Sequence, residues 1–241
     1  MNVSAEQQTA VLAARVVIVT GAARGIGQSC AVHLRNTGWL VAGFDLAECP
    51  GVDLSIQVDV ADTKAIEDAV ALVTSTLGAP FGIVSAAGYV EEIPLSELTP
   101  DRVQRMLRVH LGGLINLIRA AIPQIKVPGG SVVAVASEMA LIGGESAAHY
   151  VAAKGAILGI VRALAEELAD RGVTINAVAP GPTDTVMLAA DSVWRDSSYL
   201  ATLPTRALVS PTEIALTVEF LLRNPSKLTG ELISPNAGTV M

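Results

Sequence analysis

The residues best equipped for chemistry lie in one stretch, Ser137 to Lys154, which reads SEMALIGGESAAHYVAAK. Tyr150 and Lys154 stand four positions apart in a run with helical spacing, so on a helix they share one face, a turn apart. Ser137 follows the apolar run Ser131–Ala136, the pattern of a buried strand, and precedes a glycine-containing loop. The carboxyl end of such a strand is where open α/β sheets bind ligands. A phenol alone titrates near ~10 and is a poor acid or base at neutral pH. An ammonium close by favours the phenolate, and the phenol can then exchange a proton with a substrate oxygen near the working pH. A serine hydroxyl can hold that oxygen against the phenol. The trio suits proton movement to or from a carbonyl or alcohol oxygen. Taken alone, a Tyr and a Lys at this spacing are more often incidental on an amphipathic helix, so the elements around them decide the weight.

The first of those elements is phosphate-binding in character. Arg15–Thr20 is a short β-branched run that reads as a buried strand. It ends in Thr20-Gly21-Ala22-Ala23-Arg24-Gly25-Ile26-Gly27, and a helical segment follows to about Thr37. In a strand–turn–helix of this kind Gly21 permits the tight turn, Gly25 leaves the backbone open to a diphosphate, and Gly27 lets the helix pack on the sheet. The helix N-terminus offers unpaired N–H groups and a partial positive charge to phosphate. Asp45 closes the second strand, 18 residues after Gly27, near the position expected for an acid that binds the adenosine ribose hydroxyls. A carboxylate there accepts from a 2′-OH and repels a 2′-phosphate, which favours NAD(H) over NADP(H). Arg24 in the turn is the counter-argument, because a guanidinium can reach a phosphate.

Further along, strands and helices alternate. Cys49-Pro50-Gly51 is a turn, so the crossover helix after Asp45 is short or absent. Ser55–Val58 reads as a strand followed by Asp59-Val60, Ala61–Leu77 as a helix, and Phe81–Val84 as a strand running into Ser85-Ala86-Ala87-Gly88. Thr99-Pro100-Asp101 is a helix start with Pro in the first turn, and the spacing predicts one long helix from about Arg102 to Ile125 carrying His110. Thr174–Val178 is a strand that runs into Pro180-Gly181-Pro182-Thr183. Residues 185–205 have the mixed composition of a substrate lid. Pro211 opens a last helix, and Glu231–Ile233 is a short final strand. The expected fold is α/β, a single doubly wound domain over residues 1–241, with 1–13 as a loosely docked lead-in.

Composition narrows the function classes. The chain is 51% hydrophobic but only 3% aromatic, so the core must be built from aliphatic side chains. A formal charge of −7 without a basic run argues against nucleic acid as partner. Cys30 and Cys49 have no metal-ligand spacing and are expected to be reduced thiols. The N-terminal residues lack a signal-peptide pattern, and no uncharged apolar stretch reads as a membrane span. The expected setting is cytoplasmic, with no metal and a small-molecule substrate.

With TGAARGIG, SAAG, Ser137, YVAAK and PGPTDT in this order and spacing, the chain resembles the short-chain dehydrogenase/reductase family over nearly its whole length. The resemblance implies a Rossmann-like fold of about seven parallel strands, a nicotinamide cofactor and a homotetramer. It implies that Gly21, Gly25 and Gly27, with Arg24 and Ile26 in the same loop, hold the diphosphate and that Asp45 binds ribose. Asp59 and Val60 would contact adenine, and Ala86, Ala87 and Gly88 would let the nicotinamide ribose approach the backbone. Pro180, Gly181 and Thr183 would cover the nicotinamide. Ser137, Tyr150 and Lys154 match the catalytic serine, tyrosine and lysine, and Tyr150 and Lys154 would also contact the cofactor, Lys154 through the nicotinamide ribose hydroxyls. Two positions depart from the pattern: Ser85 replaces one family asparagine, and His110 replaces another that holds a water in a proton relay. A histidine titrating near ~6.5 could keep that relay with altered pH dependence, or merely fill the space. The first functional reading is an NAD(H)-dependent dehydrogenase of a small cyclic or aromatic secondary alcohol or ketone. The alternatives are a 3-oxoacyl-(acyl-carrier-protein) reductase-like ketoreductase and a non-catalytic NAD(H)-binding sensor.

Overall fold

The β-branched run Val16–Thr20 forms β1, every residue of it buried. Alternation along a strand sends Val16 and Ile18 to one face and Val17 and Val19 to the other, and each pair sits in a separate apolar layer. A strand buried on both faces is the mark of a parallel sheet covered by helices. The computed structural model describes residues 15–125, 129–188, 192–223 and 228–240. Within them β1 is followed by α1 (Gly25–Asn36), β2 (Leu40–Asp45), β3 (Leu54–Gln57), α2 (Thr63–Thr76) and β4 (Pro80–Ser85). Then come α3 (Pro100–Leu107), α4 (Gly113–Ala121), β5 (Ser131–Val135), α5 (Met139–Ile142), α6 (Ala148–Ala169) and β6 (Thr174–Val178). The last elements are α7 (Ser197–Leu200), α8 (Pro211–Arg223) and β7 (Leu232–Ile233).

The strands make one seven-stranded sheet in the order β3-β2-β1-β4-β5-β6-β7, with all pairings parallel. This is the expected Rossmann-like α/β fold. Strand order reverses between β1 and β4, and the crevice outside the carboxyl ends at that point is where such sheets bind ligands. Helices α2, α4 and α6 supply Ile66, Val70, Leu117, Ile157 and Val161 to one layer, and α1 and α8 supply Leu34, Ile214 and Leu221 to the other. Local signals set the helix starts. Asp62 accepts from the Ala65 N–H at 3.0 Å ahead of α2, and the Thr99 hydroxyl accepts from the Arg102 N–H at 3.5 Å ahead of α3.

No helix crosses over between β2 and β3, as the Cys49-Pro50-Gly51 turn implied. The single helix expected from Arg102 to Ile125 is instead divided: α3 passes into a π turn, Arg108–Gly112, then into α4 and a 3₁₀ turn. A period read from sequence does not distinguish a widened turn from an α turn, and such turns cluster at functional positions. The lead-in 1–13 lies outside the described residues. Of segment 185–205, the described part holds a 3₁₀ turn and α7, with Trp194 and Tyr199 packed edge to face at 4.7 Å. Helix α6 is long and apolar enough to cross a membrane by length and composition alone, but its Ile157, Leu158, Val161 and Leu168 belong to the core against the sheet.

Candidate active site

The carboxyl ends of β1, β2, β4, β5 and β6 open into one cleft of about 1020 Å³. Every residue expected above to bind the cofactor or act in catalysis lines it: Gly21, Arg24, Gly25, Ile26 and Gly27; Asp45; Asp59 and Val60; Ala86, Ala87 and Gly88; His110; Ser137, Tyr150 and Lys154; Pro180, Gly181 and Thr183. Ser85, which replaces a family asparagine, ends β4 and is not part of the lining. At its floor Gly21 sits at φ +70, and a Cβ there would lie 2.9 Å from the Ala86 and Ala87 backbone. A Cβ on Gly27 would lie 2.2 Å from the Gly21 carbonyl oxygen. Helix α1 can therefore start directly behind the turn only because position 27 has no side chain, leaving its first N–H groups at the cleft. The Thr20 hydroxyl accepts from the Ala86 and Ala87 N–H groups, both at 3.1 Å, tying the β4 end to the turn. Asp45 accepts from the Ala23 N–H at 3.1 Å through one oxygen and from the Ala47 N–H at 3.3 Å through the other. Its carboxylate is thus fixed beside the glycine turn, with no cation paired to it among the described residues. Arg24 is exposed on the same turn.

Deeper in the cleft the trio converges. Ser137 lies two residues past the end of β5, and Tyr150 and Lys154 lie on the buried face of α6. The Ser137 hydroxyl accepts from the Met139 N–H at 3.2 Å and lies beside the Tyr150 phenol, where it favours loss of the phenol proton. The Lys154 Nζ donates to the Val135 carbonyl at 2.8 Å and lies 5.7 Å from the Tyr150 ring centre. Burial pushes Lys154 down to about 7. The Tyr150 phenol is held above its ordinary value, chiefly by burial, with the Ser137 hydrogen bond opposing and Glu138 adding. This corrects the expectation that Lys154 lowers the phenol. The lysine is anchored to a backbone carbonyl and is itself pushed toward its neutral form, so desolvation of the phenol prevails.

His110 occupies the middle of the π turn and is 3% exposed. Its Nε2 lies 2.8 Å from the Tyr89 carbonyl oxygen and 3.2 Å from the Tyr89 N–H, so one tautomer donates to the first and the other accepts from the second. Its ring meets Tyr150 edge-on at 5.6 Å, and a Cβ on Gly88 would lie 2.2 Å from its Cε1. The buried Nδ1 has no partner among the described residues. Burial first, then the charge of Lys154, pushes His110 down to about 3. Titration near neutrality, expected from the residue type, is therefore corrected: the ring is neutral across the working range.

Three cleft residues escaped the sequence reading: Tyr89, Glu138 and Thr239. Tyr89 lines the wall with Tyr199 of the expected lid, and the Tyr89 hydroxyl is buried without a partner among the described residues. Glu138 follows Ser137, is 8% exposed, and is hydrogen-bonded to the Thr239 hydroxyl. Burial pushes its carboxyl up to about 7. Adjacency to Ser137 was the available signal for Glu138; Thr239 carried none. His149, next to Tyr150, is buried with its Nε2 3.3 Å from Glu91.

A cleft floored by side-chain-free backbone at a helix N-terminus, with a fixed carboxylate at one end and a phenol and an amine at the other, fits a nicotinamide dinucleotide. The comparisons agree with that chemistry. The family model described as enoyl-(acyl carrier protein) reductase matches residues 21–239. The 3-oxoacyl-(acyl-carrier-protein) reductase of Staphylococcus aureus is 33% identical over 93% of this chain and 97% of its own length. An acetoacetyl-CoA reductase of Synechocystis is 34% identical over 92% and 95%. Among solved structures, the aldohexose dehydrogenase of Thermoplasma acidophilum aligns with a TM-score of 0.87 at 26% identity, covering 93% of both chains. A Brucella melitensis protein described as a short-chain dehydrogenase/reductase, glucose/ribitol dehydrogenase, aligns at 0.88 with 30% identity, covering 94% of this chain and 97% of that one. The chain is a short-chain dehydrogenase/reductase, an oxidoreductase that interconverts keto and CH–OH groups with a nicotinamide cofactor.

Proposed function

We propose that the protein reduces the 3-keto group of a 3-oxoacyl thioester to the 3-hydroxyacyl product, using NADH in preference to NADPH. The observation that carries this reading is the apolar mouth on the same cleft that holds Ser137, Tyr150 and Lys154. Burial makes the Tyr150 phenol a weaker acid than a free one, so its proton transfer depends on its place beside Ser137 and on the charge of Lys154. The apolar mouth formed by Ile142, Val186, Met187 and Trp194, all exposed, suits an acyl chain. The oxoacyl relatives at 33–34% identity support the same substrate class. The small cyclic or aromatic alcohol, placed first on sequence, gives way to this alternative. Asp45 supports NADH, because a carboxylate fixed beside the glycine turn accepts from a ribose 2′-OH and repels a 2′-phosphate. The homotetramer and the cytoplasmic setting belong to the same proposal.

In this mechanism Gly21, Gly25 and the first turn of α1 would hold the diphosphate, Asp45 the adenosine ribose, and Lys154 with Thr183 the nicotinamide half. When bound, the dinucleotide supplies the hydride. Ser137 donates a hydrogen bond to the substrate carbonyl oxygen and fixes it against Tyr150. As the carbonyl carbon accepts the hydride, its oxygen takes the Tyr150 proton and becomes the alcohol. The phenolate left behind lies near the Lys154 amine, whose positive form favours it until a proton returns.

The test follows the absorbance of the reduced coenzyme, with NADH and NADPH assayed separately against acetoacetyl-CoA and cyclohexanone. Faster NADH-linked reduction of the thioester is expected. Turnover of the cyclic ketone alone would return the first reading, and coenzyme binding without any turnover would favour a sensor.

A further inference from the structure

Of the acids that line the cleft, Asp45 and Asp59 lie toward the turn and the β3 end, and Glu92 and Glu145 are exposed. Glu138 is the buried one, set beside Ser137 at the reacting end. Its position is over-determined. Its N–H donates to the Pro180 carbonyl at 3.0 Å, and its Oε2 meets the Thr239 hydroxyl from the far end of the chain. No cation pairs with it among the described residues. The titratable groups that face it are Tyr150 from α6 and Tyr199 from α7. A buried carboxylate without a cation is costly, so such a group keeps its proton.

The hydrogen-bond count points the same way. The Thr239 Oγ1 lies 2.9 Å from the Asn236 carbonyl as well as against Glu138 Oε2. One hydroxyl has one proton. When Thr239 donates to Asn236, Glu138 must itself be the donor. When Thr239 turns to donate to Oε2, the carboxyl proton is free to sit on Oε1 and serve a ligand. Glu138 and Thr239 therefore form a hydroxyl–carboxyl pair able to present a hydrogen-bond donor next to Ser137.

We propose that Glu138 is a specificity-determining residue that binds the second oxygen of a 1,3-dicarbonyl substrate, the thioester carbonyl, while Ser137 and Tyr150 hold the 3-keto oxygen. This rests on the oxoacyl reading above. A simple ketone has no oxygen for Glu138. A 3-oxoacyl thioester has one, two carbons from the reacting centre. Burial that keeps the Glu138 proton up to about 7 sets the range in which the donor is present. Below that value the carboxyl can donate. Above it a carboxylate would face a carbonyl oxygen and repel it.

The experiment measures KM and kcat for acetoacetyl-CoA and for butanone from about pH 6 to about pH 8.5, in wild type, Glu138→Gln and Glu138→Leu, with NADH binding by fluorescence as the check on folding. KM of the wild type for the thioester should rise roughly tenfold or more across that range, the cost of losing one hydrogen bond and gaining a like-polarity contact. The kcat profile should not follow it. Glu138→Gln keeps a donor and should hold KM low and flat, whereas Glu138→Leu should hold it high and flat. Butanone should show none of these differences. Thioester reduction with the same pH profile in all three proteins, or the wild-type KM rise appearing equally with butanone, would overturn the assignment alone. No reduction of the thioester by wild type with either coenzyme would overturn the oxoacyl reading and this assignment with it.

Discussion

Replacing His110 by Asn tests the electrostatics of the buried π turn through stability, independently of any substrate. In the folded chain His110 is pushed down to about 3, first by burial and then by Lys154. In the unfolded chain it returns to ~6.5. Above about 6.5 both states are neutral and the group has no effect. As pH falls, the unfolded chain takes up a proton that the folded chain refuses, so stability declines from about 6.5 down to about 3. Between about pH 7.5 and pH 5 the difference is roughly 1.5 pH units, and at 1.36 kcal/mol per unit it amounts to about 2 kcal/mol. Asn does not titrate. Its smaller volume leaves a space against Gly88 and Tyr150 that lowers stability by the same amount at every pH. Urea unfolding of both proteins without coenzyme, at the two pH values and one protein concentration, should show wild type losing about 2 kcal/mol more than His110→Asn. Parallel loss in the two proteins would refute the claim that His110 is buried neutral.

Other consequences follow from the cleft. Gly27→Ala places a Cβ against the Gly21 carbonyl, a rigid backbone contact. It should cost about 3 kcal/mol or more in unfolding free energy and weaken NADH binding, measured by urea unfolding and coenzyme fluorescence. Asp45→Ser removes the carboxylate that excludes a 2′-phosphate. It should move the ratio of NADH to NADPH kcat/KM toward NADPH by at least about tenfold, with Tyr150 chemistry unaffected.

Much of this arrangement was legible because its signals are local. A glycine turn needs Gly21 and Gly27 for reasons of backbone contact, and those contacts are present. The acid closing β2 was placed by its distance from the turn, and helical spacing put Tyr150 and Lys154 on one face. What was not legible depends on tertiary surroundings. Residue type suggests a phenol lowered by a lysine; the fold buries both and anchors the lysine on Val135. Residue type suggests a histidine titrating near neutrality; the π turn seals it under Tyr89 and Gly88. Glu138 escaped because an acid beside a helix start is ordinarily solvated, and its partner Thr239 lies about a hundred residues further along the chain.

Tyr150 is the residue that carries the proton to the substrate oxygen. The decisive measurement is turnover and coenzyme binding of Tyr150→Phe beside wild type. Phe keeps the ring that packs edge-on against His110 and removes the hydroxyl that meets Ser137. NADH should bind within about threefold of wild type, while kcat for the best substrate falls by at least about a hundredfold, the usual worth of a positioned acid. A variant that binds NADH equally well and turns over at the wild-type rate would contradict the account.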